Sequence, residues 1–136
     1  GIITIMVISF LNGWNDLVYS MTFNVTGEYL NGILNQRSQD MLTANNWNVV
    51  QYAVLLCMFA QVNGLKPGEF VHVIADCHIY DRHVPLVKEM IERPTFDAPK
   101  FWLNPDIDDF YKFTVDDVHF ENYQANPTGF KIPVAI

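Results

Sequence analysis

Residues 49–62, VVQYAVLLCMFAQV, run for about four turns of helix without a charge and with apolar side chains on nearly every side. A helix apolar all round cannot lie on a surface; it has to be enclosed by other elements. This segment is therefore expected to be the spine of the core. Asn45, Asn46 and Asn48 punctuate the chain before it, and Gly64-Leu65-Lys66-Pro67-Gly68 ends it with turn chemistry.

The flanking segments read as strands. Residues 18–25, VYSMTFNV, alternate as a half-buried strand does, and Thr26-Gly27-Glu28 turns the chain into residues 29–35, so a hairpin is expected. Residues 36–40 follow as a polar strand end. Residues 70–77, FVHVIADC, read as a buried strand that His78-Ile79-Tyr80 continues. Asp81 is placed to cap a short amphipathic helix over 83–92, with Pro85 tolerated in its first turn and Arg93-Pro94 as its stop. The last third holds short strands at 100–103 and 120–123 around an acidic DIDDF turn. The fold class is α+β: a mixed sheet packed on one long buried helix.

Composition supports a packed chain. Half of the 136 residues are apolar, 17% are charged, and the aromatics number 10 Phe, 6 Tyr and 3 Trp. That excludes a disordered segment. One domain is expected, able to bury roughly two-thirds of its unfolded surface. A net charge of −7 argues against a nonspecific nucleic-acid or anionic-membrane binder. Cys57 and Cys77 lack CxxC spacing, so a reducing, cytoplasmic setting is expected. The apolar stretch 2–11 is too short for a bilayer span and reads as a buried strand, with a turn at 12–16. A chain that starts inside such a strand is expected to be the rear part of something longer.

Several polar residues invite chemistry. None of His72, His78, His83 and His119 pairs at helical zinc spacing, and His72 and Asp76 would lie roughly 13 Å apart along a strand, so no metal is expected. Asp106, Asp108 and Asp109 lack EF-hand periodicity and read as a solvated turn. Cys57 and Cys77 read as small hydrophobes. Arg37, flanked by Gln36, Ser38 and Asp40, has the planar fork that grips a phosphate, or else pairs with Asp40. Asn48 either caps the helix or offers an amide edge that matches a uracil. His78 and Tyr80, two apart on a strand, either line a sugar hydroxyl or stand as half-buried aromatics.

These residues, in this order, carry a resemblance to thymidylate synthase. QRSQD at 36–40 resembles the family's phosphate-binding segment, and NNWNVVQYAVLLCMFAQ its pyrimidine-reading helix start, with Asn48 at the uracil-binding Asn. ADCHIYDRH resembles its ribose-binding strand, and the ending KIPVAI its C-terminal tail. The resemblance implies a thymidylate synthase-type fold over residues 1–136 as a single partial domain, the C-terminal half, with 1–17 irregular. It implies reductive methylation of dUMP to dTMP with methylenetetrahydrofolate as donor of carbon and hydride. Gln36, Arg37, Ser38, Asn48, His78 and Tyr80 would then bind dUMP. Asp40, Ala135 and Ile136 would meet the folate, and Asn48 and Asp40 would support catalysis. A cytoplasmic homodimer without nucleic-acid, membrane or metal partners follows.

The departures carry their own expectations. The family's nucleophilic Cys turn precedes the strand that here begins VYSMTFNV, and alignment puts Leu17 at the Cys and Asp16 at the preceding Pro. Thr4 and Ile5 stand at an arginine pair that reaches the partner subunit's phosphate, Ala44 at a Gly, and Asn45-Asn46 at a Leu-Pro. A thioether needs a thiolate, so the chain alone is expected to be inactive. The alternative is a noncatalytic nucleotide-binding or dimerisation fragment; a cytidylate hydroxymethylase would favour an acidic side chain at Asn48.

Overall fold

The computed structural model describes residues 19–127 and 129–134; the expected strand at 2–11, the turn at 12–16 and Leu17 lie outside them. The hairpin forms. β1 (Tyr19–Thr26) pairs antiparallel with β2 (Tyr29–Asp40) across a two-residue loop, with Thr26 opposite Tyr29. Gly27 there has φ 61°, a conformation that lets the strands return without splaying.

The helix α1 (Asn45–Val62) starts earlier than the apolar run and takes in the three asparagines. The reason lies in the preceding turn, where Asp40 accepts the Leu42 amide at 2.9 Å and the Thr43 amide at 3.3 Å, and Ala44 N–H reaches Asp40 O at 3.1 Å. The chain is already coiling when it meets Asn45, so Asn48 lies inside the helix and caps nothing. At the other end Gly64, with φ 65°, donates to Gln61 O and Leu65 to Ala60 O at 3.0 and 2.8 Å. That pair of bonds is the Schellman closure glycine permits.

β3 (Lys66–His78) then runs parallel to β2, giving the sheet order β1-β2-β3 with α1 as the crossover. Leu30, Leu56 and Ala60 form the core, with Met21, Phe59, Leu65 and Phe70 against it. Gly32 lets the helix approach: a Cβ there would lie 2.6 Å from Met21 Cε and 3.3 Å from Leu56 Cδ1. Phe59 meets Phe23 edge-on at 5.0 Å and stacks on Phe110 at 4.6 Å.

Two expectations of burial are corrected. Among the described residues α1 buries only Leu56 and Ala60, while Trp47 is 76% exposed and Val50 is also open. One sheet face and the Phe110 turn are what cover it. β3, expected to be buried, exposes Val71 and Val73, because no described element covers the face on which they lie.

Asp81 caps no helix; it begins a 3-10 turn, Asp81–His83, that leads into α2 (Val84–Ile91) with Pro85 in the first turn. β4 (Lys100–Leu103) pairs antiparallel with β5 (Val118–Glu121), which begins and ends two residues before the expected 120–123. Asp117 closes a reciprocal cap with Thr114, so the chain leaves its 3-10 turn extended at Val118, and Asn122, with φ 61°, turns it out of the strand. Gln61 ties these loops to α1 by donating to Asn104 O and Ile107 O, each at 2.8 Å.

Candidate functional site

Parallel pairing sets Ser38 beside Asp76, Gln39 beside Cys77 and Asp40 beside His78, so the two motif-bearing segments finish together at one end of the sheet. α1 starts at that same end. The C-terminal ends of parallel strands are where such sheets leave a crevice that side chains can line.

A chain of hydrogen-bonded side chains runs along this end of the sheet. His72 Nε2 lies 2.7 Å from Gln36 Oε1. Burial holds the His72 pKa below its ordinary value, so the ring is neutral and donates through Nε2–H. Gln36 Nε2 in turn donates to Ser38 O at 2.9 Å and to Gln39 Oε1. Gln39 Oε1 also accepts from Asn48 Nδ2 at 3.0 Å, which fixes the Asn48 amide. Gln39 is only 1% exposed, and its own Nε2 has no partner.

Beside this chain stands one carboxylate, Asp76, with two neighbours. Ser38 Oγ donates to Asp76 Oδ2 at 3.1 Å, and His78 Nδ1 lies 3.6 Å from the same oxygen. Tyr80, just past the end of β3, meets His78 edge-to-face at 5.1 Å. The two rings expected to act together are thus adjacent. Arg37 is exposed on β2 between the buried Gln36 and the half-buried Ser38.

Asp40 lies deeper. Burial works to raise its pKa, but donation from the Thr43 hydroxyl and from the Leu42 and Thr43 amides, together with nearby His83, outweighs that and holds it below 3.8. At neutral pH it is an ionised group that can only accept. His83 Nδ1 is 4.0 Å from Asp40 Oδ2, and His83 Nε2 is 2.9 Å from Pro133 O. Arg82 donates to Val134 O at 3.2 Å. The C-terminal segment therefore reaches the site as far as Val134; Ala135 and Ile136 lie outside the described residues.

Sequence reasoning missed Gln39, His72 and His83 as members of this cluster. The sequence offers His72 only as a metal ligand, and His83 only as a metal ligand or a helix start. Gln39 carried a signal: an amide at a strand position one residue from a carboxylate rarely buries without partners. Among the described residues no three His, Cys, Asp or Glu side chains gather to hold a metal, and no helix is long and apolar enough to cross a membrane. Cys57 is half-buried in α1, where burial raises its pKa and keeps the thiol protonated. Cys77 is exposed on β3, on the opposite face from Asp76 and His78 by strand alternation.

Comparison with known proteins bears on this arrangement. The thymidylate synthase family profile matches residues 16–136. "Thymidylate synthase 1" of Bacillus amyloliquefaciens is 42% identical over 118 residues, 86% of this chain and 51% of that protein. The thymidylate synthase of Bacillus phage phi3T is 45% identical over 107 residues, 79% of this chain and 38% of that one. Among solved structures, thermostable thymidylate synthase A from Bacillus subtilis superposes with a TM-score of 0.79 at 41% identity, covering 88% of this chain and 42% of its own. The chain spans about half or less of the length of these relatives.

Proposed function

The chain belongs to the thymidylate synthase family, and on that footing we propose that the crevice at the ends of β2 and β3 is the dUMP side of a site for reductive methylation of dUMP to dTMP. The observation that carries this reading is the convergence of Gln36, Ser38, Asn48, His78 and Tyr80 on one end of the sheet, where β2 also carries Arg37 as an exposed residue between Gln36 and Ser38. A guanidinium with an adjacent hydroxyl suits a phosphate dianion. Gln36 lines the base end. The Asn48 amide, held by Gln39, offers its remaining groups to the uracil edge and stabilises charge that develops on the carbonyl oxygen. His78 and Tyr80 meet the ribose.

Asp40, ionised and accepting, fits a ligand that presents N–H donors, and the pterin ring of methylenetetrahydrofolate is such a ligand. When bound, that folate supplies the carbon and the hydride. Ala135 and Ile136 extend the segment that His83 and Arg82 seat beside Asp40, and in this reading they meet the folate and exclude water. No step here calls on a metal, nucleic acid or membrane, and the setting is cytoplasmic.

A thermal-shift assay tests the pocket. dUMP at a hundred times its Kd raises stability by about 2.7 kcal/mol. Arg37→Ala abolishes that shift, and dCMP gives a smaller one. An intact protein that dUMP leaves unmoved overturns the reading.

Chemistry needs a thiolate at the ring, and neither thiol of this sequence suits. Cys57 stays protonated in the helix, and Cys77 faces away from His78. The chain alone therefore binds without turnover. Tritium released from 5-tritiated dUMP in the presence of methylenetetrahydrofolate would refute this.

The chain also forms a homodimer in this proposal, supported by a sheet face that no other described element covers and on which Tyr29, Ile33, Val71 and Val73 are all exposed. Such a patch is uncommon on a monomer. Sedimentation velocity that shows monomer alone at micromolar concentration would remove it.

A further inference from the structure

His83 is a buried polar residue that the reading above leaves without a task. It is 1% exposed, and its Nδ1 is one of two buried side-chain atoms among the described residues with no hydrogen-bond partner. Leaving such an atom unpaired costs free energy, so the position asks for an explanation. Its surroundings supply one. Nε2 lies 2.9 Å from the Pro133 carbonyl, which can only accept, so Nε2 bears a hydrogen and donates it to the C-terminal segment. The other ring nitrogen points at the Asp40 carboxylate, 4.0 Å from Oδ2 and just beyond hydrogen-bond reach. Tyr80 packs edge-on against the imidazole, with centroids 5.6 Å apart at 80°, which limits its tilt.

Two further contacts hold the same segment from the same side. Arg82 donates to Val134 O at 3.2 Å. Arg93 donates to Pro127 O at 3.3 Å and stacks over the Phe130 ring at 4.0 Å. These clamp the segment to α2 and its leading turn. Among the described residues His83 alone is seen against both the segment and Asp40.

We propose that His83 is a positioning residue that couples the Asp40 carboxylate to the seating of the C-terminal segment through opposite edges of one imidazole. Movement of the carboxylate toward or away from Nδ1 displaces the ring packed against Tyr80, and Pro133 follows. By linkage the dependence is mutual: a ligand that fixes Asp40 steadies the segment, and a seated segment steadies Asp40. The ligand half of this statement rests on the assignment of Asp40 to the folate; the His83 half does not.

The test reads segment seating directly, as the rate of tryptic cleavage after Lys131 in the full chain followed by mass spectrometry. His83→Asn speeds cleavage about tenfold, the scale of one lost buried hydrogen bond, and Asp40→Asn, which removes the charge facing Nδ1 but no hydrogen bond to it, speeds cleavage by less. The double variant is no faster than the faster single, as coupled neighbours require. His83→Gln, whose amide reaches the Nε2 position, keeps its donor to Pro133. It restores slow cleavage, and in that background Asp40→Asn has no effect. Far-UV circular dichroism and melting temperature confirm that each variant is folded, and His83→Gln carries the test if His83→Asn is not. Additive effects, an unmoved rate in His83→Asn, or an Asp40→Asn effect that survives in His83→Gln overturns the coupling. A separate arm adds dUMP and dihydrofolate. Protection in the wild type that His83→Asn abolishes supports the ligand half, whereas no protection with the cleavage pattern intact overturns only the folate assignment.

Discussion

Two polar clusters sit at opposite ends of the chain's core, and they are finished to different degrees. Around Asp117 every bond closes. Asn104 donates to one carboxylate oxygen at 2.8 Å, and the Thr114 amide and hydroxyl donate to the other at 2.8 and 2.7 Å. Those donors hold the Asp117 pKa below its ordinary value, the Asn104 side chain first and then Thr114. Around Gln39 and His83 two buried atoms remain without partners. A closed network holds a fold in place. An open one, at the end of a parallel sheet and beside a carboxylate, is what the proposed ligand site calls for. The contrast separates structural from recognition residues without reference to any relative.

Single substitutions in the two clusters should therefore differ in kind. Asn104→Ala removes a donor to a carboxylate and an acceptor for the Asp106 amide, and is expected to cost about 2 kcal/mol in denaturant unfolding. Gln39→Leu trades a half-satisfied amide for an apolar side chain of similar length. It is expected to change stability by less than about 1 kcal/mol, while it frees the Asn48 amide and weakens the dUMP-dependent shift. Equal losses at the two positions would break the contrast.

How much of this was legible beforehand depended on where the information sits. The hairpin, the crossover helix and the parallel third strand follow from alternation, apolar length and turn residues, all local. The helix start did not, because Asp40 builds the turn that precedes it, and side-chain acceptance of the Leu42 and Thr43 amides leaves no periodic trace. Nor did the exposure of Val71 and Val73, since whether a strand face is covered depends on what lies against it. At the site, Gln36, Ser38, Asn48, His78 and Tyr80 were named from motifs and do come together. Gln39, His72 and His83 were not, because each acts by contacting a residue 9, 36 or 50 positions away.

The smallest expected effect, and the one that sharpens the contrast most, is in the response to acid. Asp117 and Asp40 both have folded pKa values below the ordinary 3.8, so each folded state binds fewer protons than the unfolded one. Their contributions are present above 3.8 and are lost only as the pH falls through the folded values. His72 also has a depressed folded pKa, from burial, against an ordinary 6.5. For a histidine the sign is the same, because the folded state again holds fewer protons. Its contribution is complete above 6.5 and is lost as the pH falls below that value. The open cluster should therefore begin to weaken in a range where the closed one is untouched. A melting-temperature profile from pH 7.5 to 5 should decline shallowly, and His72→Gln, which keeps a donor toward Gln36, should flatten it. A profile that stays flat in the wild type, or a decline that His72→Gln leaves in place, would remove His72 from the network and leave the Gln36–Gln39–Asn48 amides to orient themselves.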